Sequence, residues 1–434
     1  MVCFLALFIL LQCILQHTVT ALENRDPNIE ENNLHKQLFH YETLKKSDIS
    51  LHVRHHRDVD TGHVTARTYV TFFTLGMNFS MVLKAGSPVL APGLRAHTVD
   101  RNGKYEPLHV DSNDFLTGHL QEDKSIHVYA HYEEDILCTT VYFPNETYFT
   151  EPSWRHLPSS SGLDLISYRL SDVNWNNMGD FPNPVILPHF SNGSTSSDKQ
   201  HQKFRQKRQS QFTKKLCSLR LVADYYFYSQ YARFSASRAL QAMVNSIQEA
   251  NRIYQDTPWD LAEPFGWGFV IKQILVHTEL SDGYWGGPFS YNLKEMESNP
   301  FLKLDAFSIH EDLLKFCLAH LFTTTSFEKG IVGLGYMAND RHPGGICSSY
   351  YYQIIPRTGL TTTMTTTGLH LVRTHHQLVT VHELGHNWGS DHDTPGPCAP
   401  SDDDGGRYIH VRTIRARIPA QPLSVFELQH KIYF

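Results

Sequence analysis

The chain has 434 residues, of which 41% are hydrophobic and 19% charged, and its 38 Lys and Arg stand against 44 Asp and Glu for a formal charge of −6. At roughly 150 residues per domain this length predicts two or three domains. The apolar content excludes a disordered chain, and a chain without a basic excess is a poor candidate for nucleic-acid binding.

The first 21 residues hold an apolar run over 4–11 and end in Val19, Thr20 and Ala21, the small or β-branched residues that signal peptidase reads. This predicts a cleaved signal peptide over 1–21 and a secretory, extracellular setting. No later stretch reaches ~18 consecutive apolar residues, so no transmembrane helix is expected. In a secreted chain Asn78, Asn145 and Asn192, each opening Asn-x-Ser/Thr, read as glycosylation acceptors. Alternating runs over 66–73 and 125–130 predict strands broken by Pro, Gly and Asp turns, so the segment before the linker is β-rich.

From Ser191 the sequence becomes a Ser/Asn/Gly/Asp linker and then a basic cluster that includes Arg205, Lys207 and Arg208. Arg-x-Lys-Arg in an exposed linker of a secreted chain is a substrate for a furin-type proprotein convertase. Cleavage after Arg208 would make 22–208 a propeptide.

Beyond it, 217–224 predicts a strand. A helix follows in which Leu240, Met243, Val244, Ile247, Ala250 and Tyr254 keep the spacing of one buried face, with Met243 as core rather than ligand. Further strands are expected over 268–278, 316–322 and 330–337. A second helix opens near Thr374, a candidate N-cap, and runs through Leu378 and Val381. Strands alternating with helices point to an α/β layer architecture.

That second helix carries His382-Glu383-Leu384-Gly385-His386-Asn387-Trp388-Gly389-Ser390-Asp391-His392-Asp393. At 3.6 residues per turn His382 and His386 stand on one face and reach one ion. Gly389 lets the chain leave the helix sharply, so that His392 returns as third ligand. Three neutral nitrogens suit one catalytic Zn²⁺, with the fourth position left to water. Glu383 is placed to take the water's proton and pass it to the leaving amine, which makes the chemistry amide hydrolysis. His375 shares the helical face but lies roughly 10 Å from His382 at ~1.5 Å per residue, too far to share the ion, and is expected in solvent. Asp393 is expected to support the third ligand by hydrogen bonds.

Of the seven Cys, Cys3 and Cys13 would leave with the signal peptide. The remaining five, Cys138, Cys217, Cys317, Cys347 and Cys398, are odd in number, so at least one is unpaired, intermolecular or missing its partner.

The extended motif, with 221–224, Ile253-Tyr254, 317–323, 333–336, 398–400 and, in the earlier segment, 151–155, resembles the adamalysin (ADAM) family of metzincin proteases over most of 40–409. The resemblance implies an α/β metzincin catalytic domain over 209–410. It would hold a mixed twisted sheet with helices and zinc on the active-site helix, preceded by the β-rich propeptide. It implies a substrate laid antiparallel along an edge strand, here Val332, Gly333, Leu334 and Gly335, and a disulfide between Cys217 and Cys317. The implied activity is ectodomain shedding of membrane-anchored proteins, by relatives that are type I membrane proteins at the cell surface.

The sequence departs from the family in three ways. No Met follows Met364, although the family places one in a turn under the zinc about twenty residues after the third His. The tail 411–434 resembles nothing in the family, and Cys347 and Cys398 resemble positions whose partners lie further on. The propeptide lacks the inhibitory Pro-Lys-x-Cys-Gly motif, and Cys138, in a strand-like context, reads as a plain buried thiol. Two functions therefore stand: a zinc endopeptidase zymogen, or a catalytically inactive, C-terminally truncated form that binds substrate or propeptide.

Overall fold

A computed structural model describes residues 33–57, 64–158, 161–175, 216–257, 266–284, 287–296, 298–338, 344–346 and 348–392. The expected signal peptide, the basic linker with Arg205, Lys207 and Arg208, Asn192, Cys347, Asp393, Cys398 and the tail lie outside the described residues.

Before the linker the strands are β1 (Glu42–Leu44), β2 (Ser50–Arg57), β3 (Val64–Thr74), β4 (Met77–Ala85), β5 (Leu90–Val99), β6 (Tyr105–Pro107), β7 (Phe115–Leu120), β8 (His127–Glu133), β9 (Ile136–Phe143), β10 (Glu146–Pro152) and β11 (Leu165–Arg169). Nine of them form one antiparallel sheet in the order β1-β11-β10-β9-β8-β7-β4-β3-β2. The alternation read in 66–73 and 125–130 falls within β3 and mostly within β8. Their inward residues, Val70, Phe72, Val128 and Ala130, join Phe79, Met81, Leu116 and Val141 in a core belonging to this sheet. Asn78 and Asn145 are both exposed.

After the linker come β12 (Leu216–Ala223), α1 (Ala236–Asp256), β13 (Gly268–His277), α2 (Pro300–Phe307), β14 (Leu318–Thr323), β15 (Gly333–Gly335), β16 (Thr358–Thr362) and α3 (Arg373–Trp388). Ser235 caps α1 by accepting from Arg238 N, and the expected apolar face, Met243 included, is buried. The second sheet runs β15-β16-β14-β12-β13-β5-β6 and is mixed: β15 is antiparallel to β16, while β16, β14, β12 and β13 are parallel. Cys217 on β12 and Cys317 beside β14 form a disulfide.

The second sheet does not end with the residues that follow the linker. β5, from the earlier segment, pairs parallel to β13 from Leu90↔Ile271 to Val99↔His277. The largest core likewise mixes the two parts, with Phe149, Tyr168 and Trp175 packed alongside Leu378, Val381 and Leu384 of α3. Among the described residues no helix is long and apolar enough to cross a membrane.

Candidate metal centre

The site is built at the C-terminal end of α3. This helix begins one residue before the expected N-cap: Val372 occupies the cap position and supplies no side-chain bond. Thr374, read as the cap, instead shares a 2.9 Å hydrogen bond with the Tyr168 hydroxyl. The Glu151 carboxylate takes over the capping role, accepting from Arg373 N at 3.1 and 3.3 Å. Val372 N donates to Gln37 Oε1 at 2.8 Å. The sequence gives no local sign of this, because the acceptors lie more than 200 residues away.

At the other end Gly389 closes the helix at φ +102°, and its N–H donates to the carbonyls of Gly385 and His386. A Cβ there would sit 2.5 Å from Ala338 O, so a residue without a side chain is required for two independent reasons. The turn brings His392 back to the helix, as the spacing suggested. His382, His386 and His392 present ring nitrogens that all lie within 4.8 Å of one another. The Nε2 atoms of His382 and His392 are 3.1 Å apart. Two nitrogens each about 2.0–2.1 Å from one tetrahedral ion would stand about 3.4 Å apart, so the spacing fits a shared metal.

The tautomer of His386 follows from its partner. Ser390 O, 2.7 Å from His386 Nδ1, can only accept, so Nδ1 carries the proton and Nε2 keeps its lone pair for a cation. Burial, with the charge of His392, lowers the His386 pKa to about 3, which keeps the ring neutral as a ligand must be. The donor set, three neutral imidazoles on a rigid helix end and its turn, fits Zn²⁺.

Glu383, next to His382 in the chain, is buried, and burial pushes its carboxyl well above the usual range. It lies against β15, the edge of the second sheet. A Cβ on Gly333 would fall 2.6 Å from Glu383 Oε1, and one on Gly335 would fall 3.2 Å from Oε2. Val332 and Leu334 are buried on this edge, so the strand offers its backbone rather than its side chains. The strand is shorter than the expected 330–337, since the chain turns through Lys329 and Gly330, both at positive φ, before it.

Two sequence readings need correction or completion. His375 is not in solvent: it is fully buried edge-on to Trp175, at 5.1 Å between ring centroids, because a segment before the linker covers that face of α3. Cys138 is a buried thiol, as read. Its neighbour Thr139 accepts from Arg373 Nη2 at 2.9 Å, which sets β9 against the start of α3. Nine residues at ~1.5 Å separate Arg373 from His382, so β9 and the triad lie at opposite ends of a helix. Cys138 also belongs to a second cluster, with His131 and Glu133. There Arg155 donates to both Glu133 oxygens, which makes it an ion-pair network rather than a ligand cage. Sequence reasoning missed Asn387 and Glu151, although each stands inside a stretch that carried the family resemblance.

The three histidines at the end of α3 form a group that could hold a metal ion. Residues 236–417 match the metallo-peptidase family M12B, reprolysin-like. The chain is 27% identical over 410 residues to the disintegrin and metalloproteinase domain-containing protein 17 homolog of Caenorhabditis elegans, covering 84% of this chain and 57% of that protein. It is 24% identical over 416 residues to human disintegrin and metalloproteinase domain-containing protein 10, covering 87% and 53% respectively. The chain thus spans about half the length of these curated relatives. The match and these relatives support an ADAM-family metalloprotease, a family that implies a catalytic metal.

Proposed function

We propose that the chain is the zymogen of a zinc-dependent endopeptidase that cuts peptide bonds in the ectodomains of membrane-anchored proteins. The observation that carries this reading is the convergence of His382, His386 and His392 on the helix that also carries the buried Glu383, whose carboxylate lies against β15, the last strand of its sheet. When bound, Zn²⁺ would polarise the scissile carbonyl and lower the pKa of water at the site. The chain's own residues do the rest. Glu383 accepts a proton from that water and returns it to the leaving amine. The backbone of Val332, Gly333, Leu334 and Gly335 pairs with the substrate main chain regardless of its sequence.

In this reading 1–21 directs secretion, a furin-type convertase cuts after Arg208, residues 22–208 are the propeptide, 209–410 form the catalytic domain and 411–434 a divergent tail. Cys138 takes no part at the zinc. The relatives' printed names, disintegrin and metalloproteinase domain-containing protein, support a metalloproteinase. A second reading, an inactive form that binds substrate or propeptide, draws support from the sheet and core shared across the linker.

The test is zinc content and fluorogenic-peptide cleavage of the convertase-treated chain beside Glu383→Ala. One zinc per molecule and chelator-sensitive turnover that drops by about 10³-fold or more in the variant are expected, within the range for a general base acting with a metal. Zinc bound without turnover would establish the second reading.

A further inference from the structure

We propose that Asn387 is a positioning residue, whose side-chain amide fixes the height of the substrate strand over Glu383; the proposal rests on the peptidase reading above. Asn387 is fully buried and follows Glu383 by one helical turn, so the two side chains share a face of α3. Its Nδ2 donates to Tyr336 O at 2.9 Å and to Thr358 O at 2.9 Å. One amide thus ties the residue after β15 and the first residue of β16 to the helix.

The contact is unusually close because the facing strand positions lack side chains. A Cβ on Gly335 would meet Glu383 O at 3.0 Å and Asn387 Nδ2 at 3.3 Å, and one on Gly359 would meet Asn387 Oδ1 at 3.1 Å. With glycine at these points, Glu383 and Asn387 fill the layer between strand and helix, one turn apart. Main-chain bonds extend the seam, Ala338 N to His386 O at 3.1 Å and Ile346 N to Asn387 O at 2.8 Å. A substrate paired to β15 inherits that strand's position, so a shift of the strand moves the scissile carbonyl against both the proton acceptor and the ligand cluster. Displacements near 1 Å cost about 10²-fold in rate.

The test uses the convertase-processed chain with rates normalised to zinc-loaded protein. Asn387→Leu keeps the branched shape and heavy-atom count of the side chain and removes both donors. Gly335→Ala pushes the strand away from Glu383 and Asn387 while leaving both Asn387 donors in the chain. Each is expected to lower kcat about 10- to 100-fold with KM within about twofold, and the double variant to lose less than the product of the two, since both act on one separation. A lower unfolding midpoint with unchanged kcat per loaded site, a change in KM alone, or multiplicative losses would overturn the proposal. If the parent chain shows no turnover, the peptidase reading fails separately and the clamp is read by hydrogen exchange of the Tyr336 amide, which bonds Thr358 O at 3.1 Å. Faster exchange in Asn387→Leu supports the clamp, and unchanged exchange rules it out.

Discussion

The two ends of α3 are held in opposite ways. At its N-terminus the helix depends on residues from before the linker: Glu151 and Gln37 receive its first N–H groups, and Thr139 and Thr140 accept from the Arg373 guanidinium at 2.9 and 3.1 Å. At its C-terminus the polar contacts described above come from the helix's own turn and from residues after the linker, with Gly389 as cap, Ser390 on His386 and Asn387 tied to Tyr336 and Thr358. A carboxylate at a helix start opposes the positive end of the helix dipole, so the arrangement at the N-terminus is favourable as well as specific. The difference teaches that the chemistry is encoded in one short stretch, whereas the frame that holds it is shared between distant parts of the chain.

The largest break in this comparison should come from Glu151→Ala. Burial would raise the Glu151 carboxyl, but His156, Arg373 and Arg155 hold it down to about 2. It accepts from Tyr168 at 2.8 Å and contacts His156 at 3.3 Å besides capping α3. Its loss leaves buried donors and a buried Arg373 without their counter-charge, a defect worth about 3–5 kcal/mol. Urea unfolding of the uncleaved chain should show that loss while zinc affinity changes less than tenfold. A change under about 1 kcal/mol would remove the argument that the early segment supports the helix.

This asymmetry also explains what the sequence disclosed. The triad, Glu383 and the Gly389 turn were legible because ligand spacing, helical period and a Cβ-free exit are local properties, all within 382–392. Some strands of each sheet, those at 66–73, 125–130, 217–224, 268–278, 316–322 and 330–337, were legible from alternation and apolar runs, whereas others, β16 among them, were not. The fate of His375 was not, because a helix face looks solvated until its cover, Trp175, is known. The capping of α3 by Glu151 and the parallel pairing of β5 with β13 were equally hidden, since pairing partners 150 or more residues apart leave no periodic signal. Asn387 was visible as a residue, but its role needed the glycines of β15 and β16 to be seen facing it.

At the C-terminal end Gly389→Ala tests the local side of the contrast. A Cβ at φ +102° is strained and meets Ala338 O, and the backbone conformation alone costs about 1–2 kcal/mol. The loss should appear as weaker zinc binding, by tenfold or more, because the turn that returns His392 must open. An unaltered zinc affinity would mean that the turn is not what aligns the third imidazole. This variant should leave the Glu151 end untouched, so combined with Glu151→Ala its effect should add.

The smallest expected effect sharpens the N-terminal end alone and is read by pH. Burial against Trp175, only slightly opposed by Glu151, lowers the His375 pKa to about 3 from an ordinary 6.5. Between those values the unfolded chain binds a proton that the folded chain refuses. This contribution is therefore fully present above about pH 6.5 and is lost as pH falls, at about 1.4 kcal/mol per pH unit, until the folded group itself titrates near 3. His376, which shares a 3.0 Å hydrogen bond with Tyr231, is lowered to about 3 in the same way, while Glu151 adds its own acid loss only below about pH 4.5. Unfolding of the uncleaved chain at pH 6.0, 5.5 and 5.0 isolates the histidines from the carboxylate. His375→Phe, which keeps an aromatic ring against Trp175, should reduce the slope in that window by about one proton. An unchanged slope would show that His375 keeps its proton equilibrium on folding and that its burial is incomplete in solution.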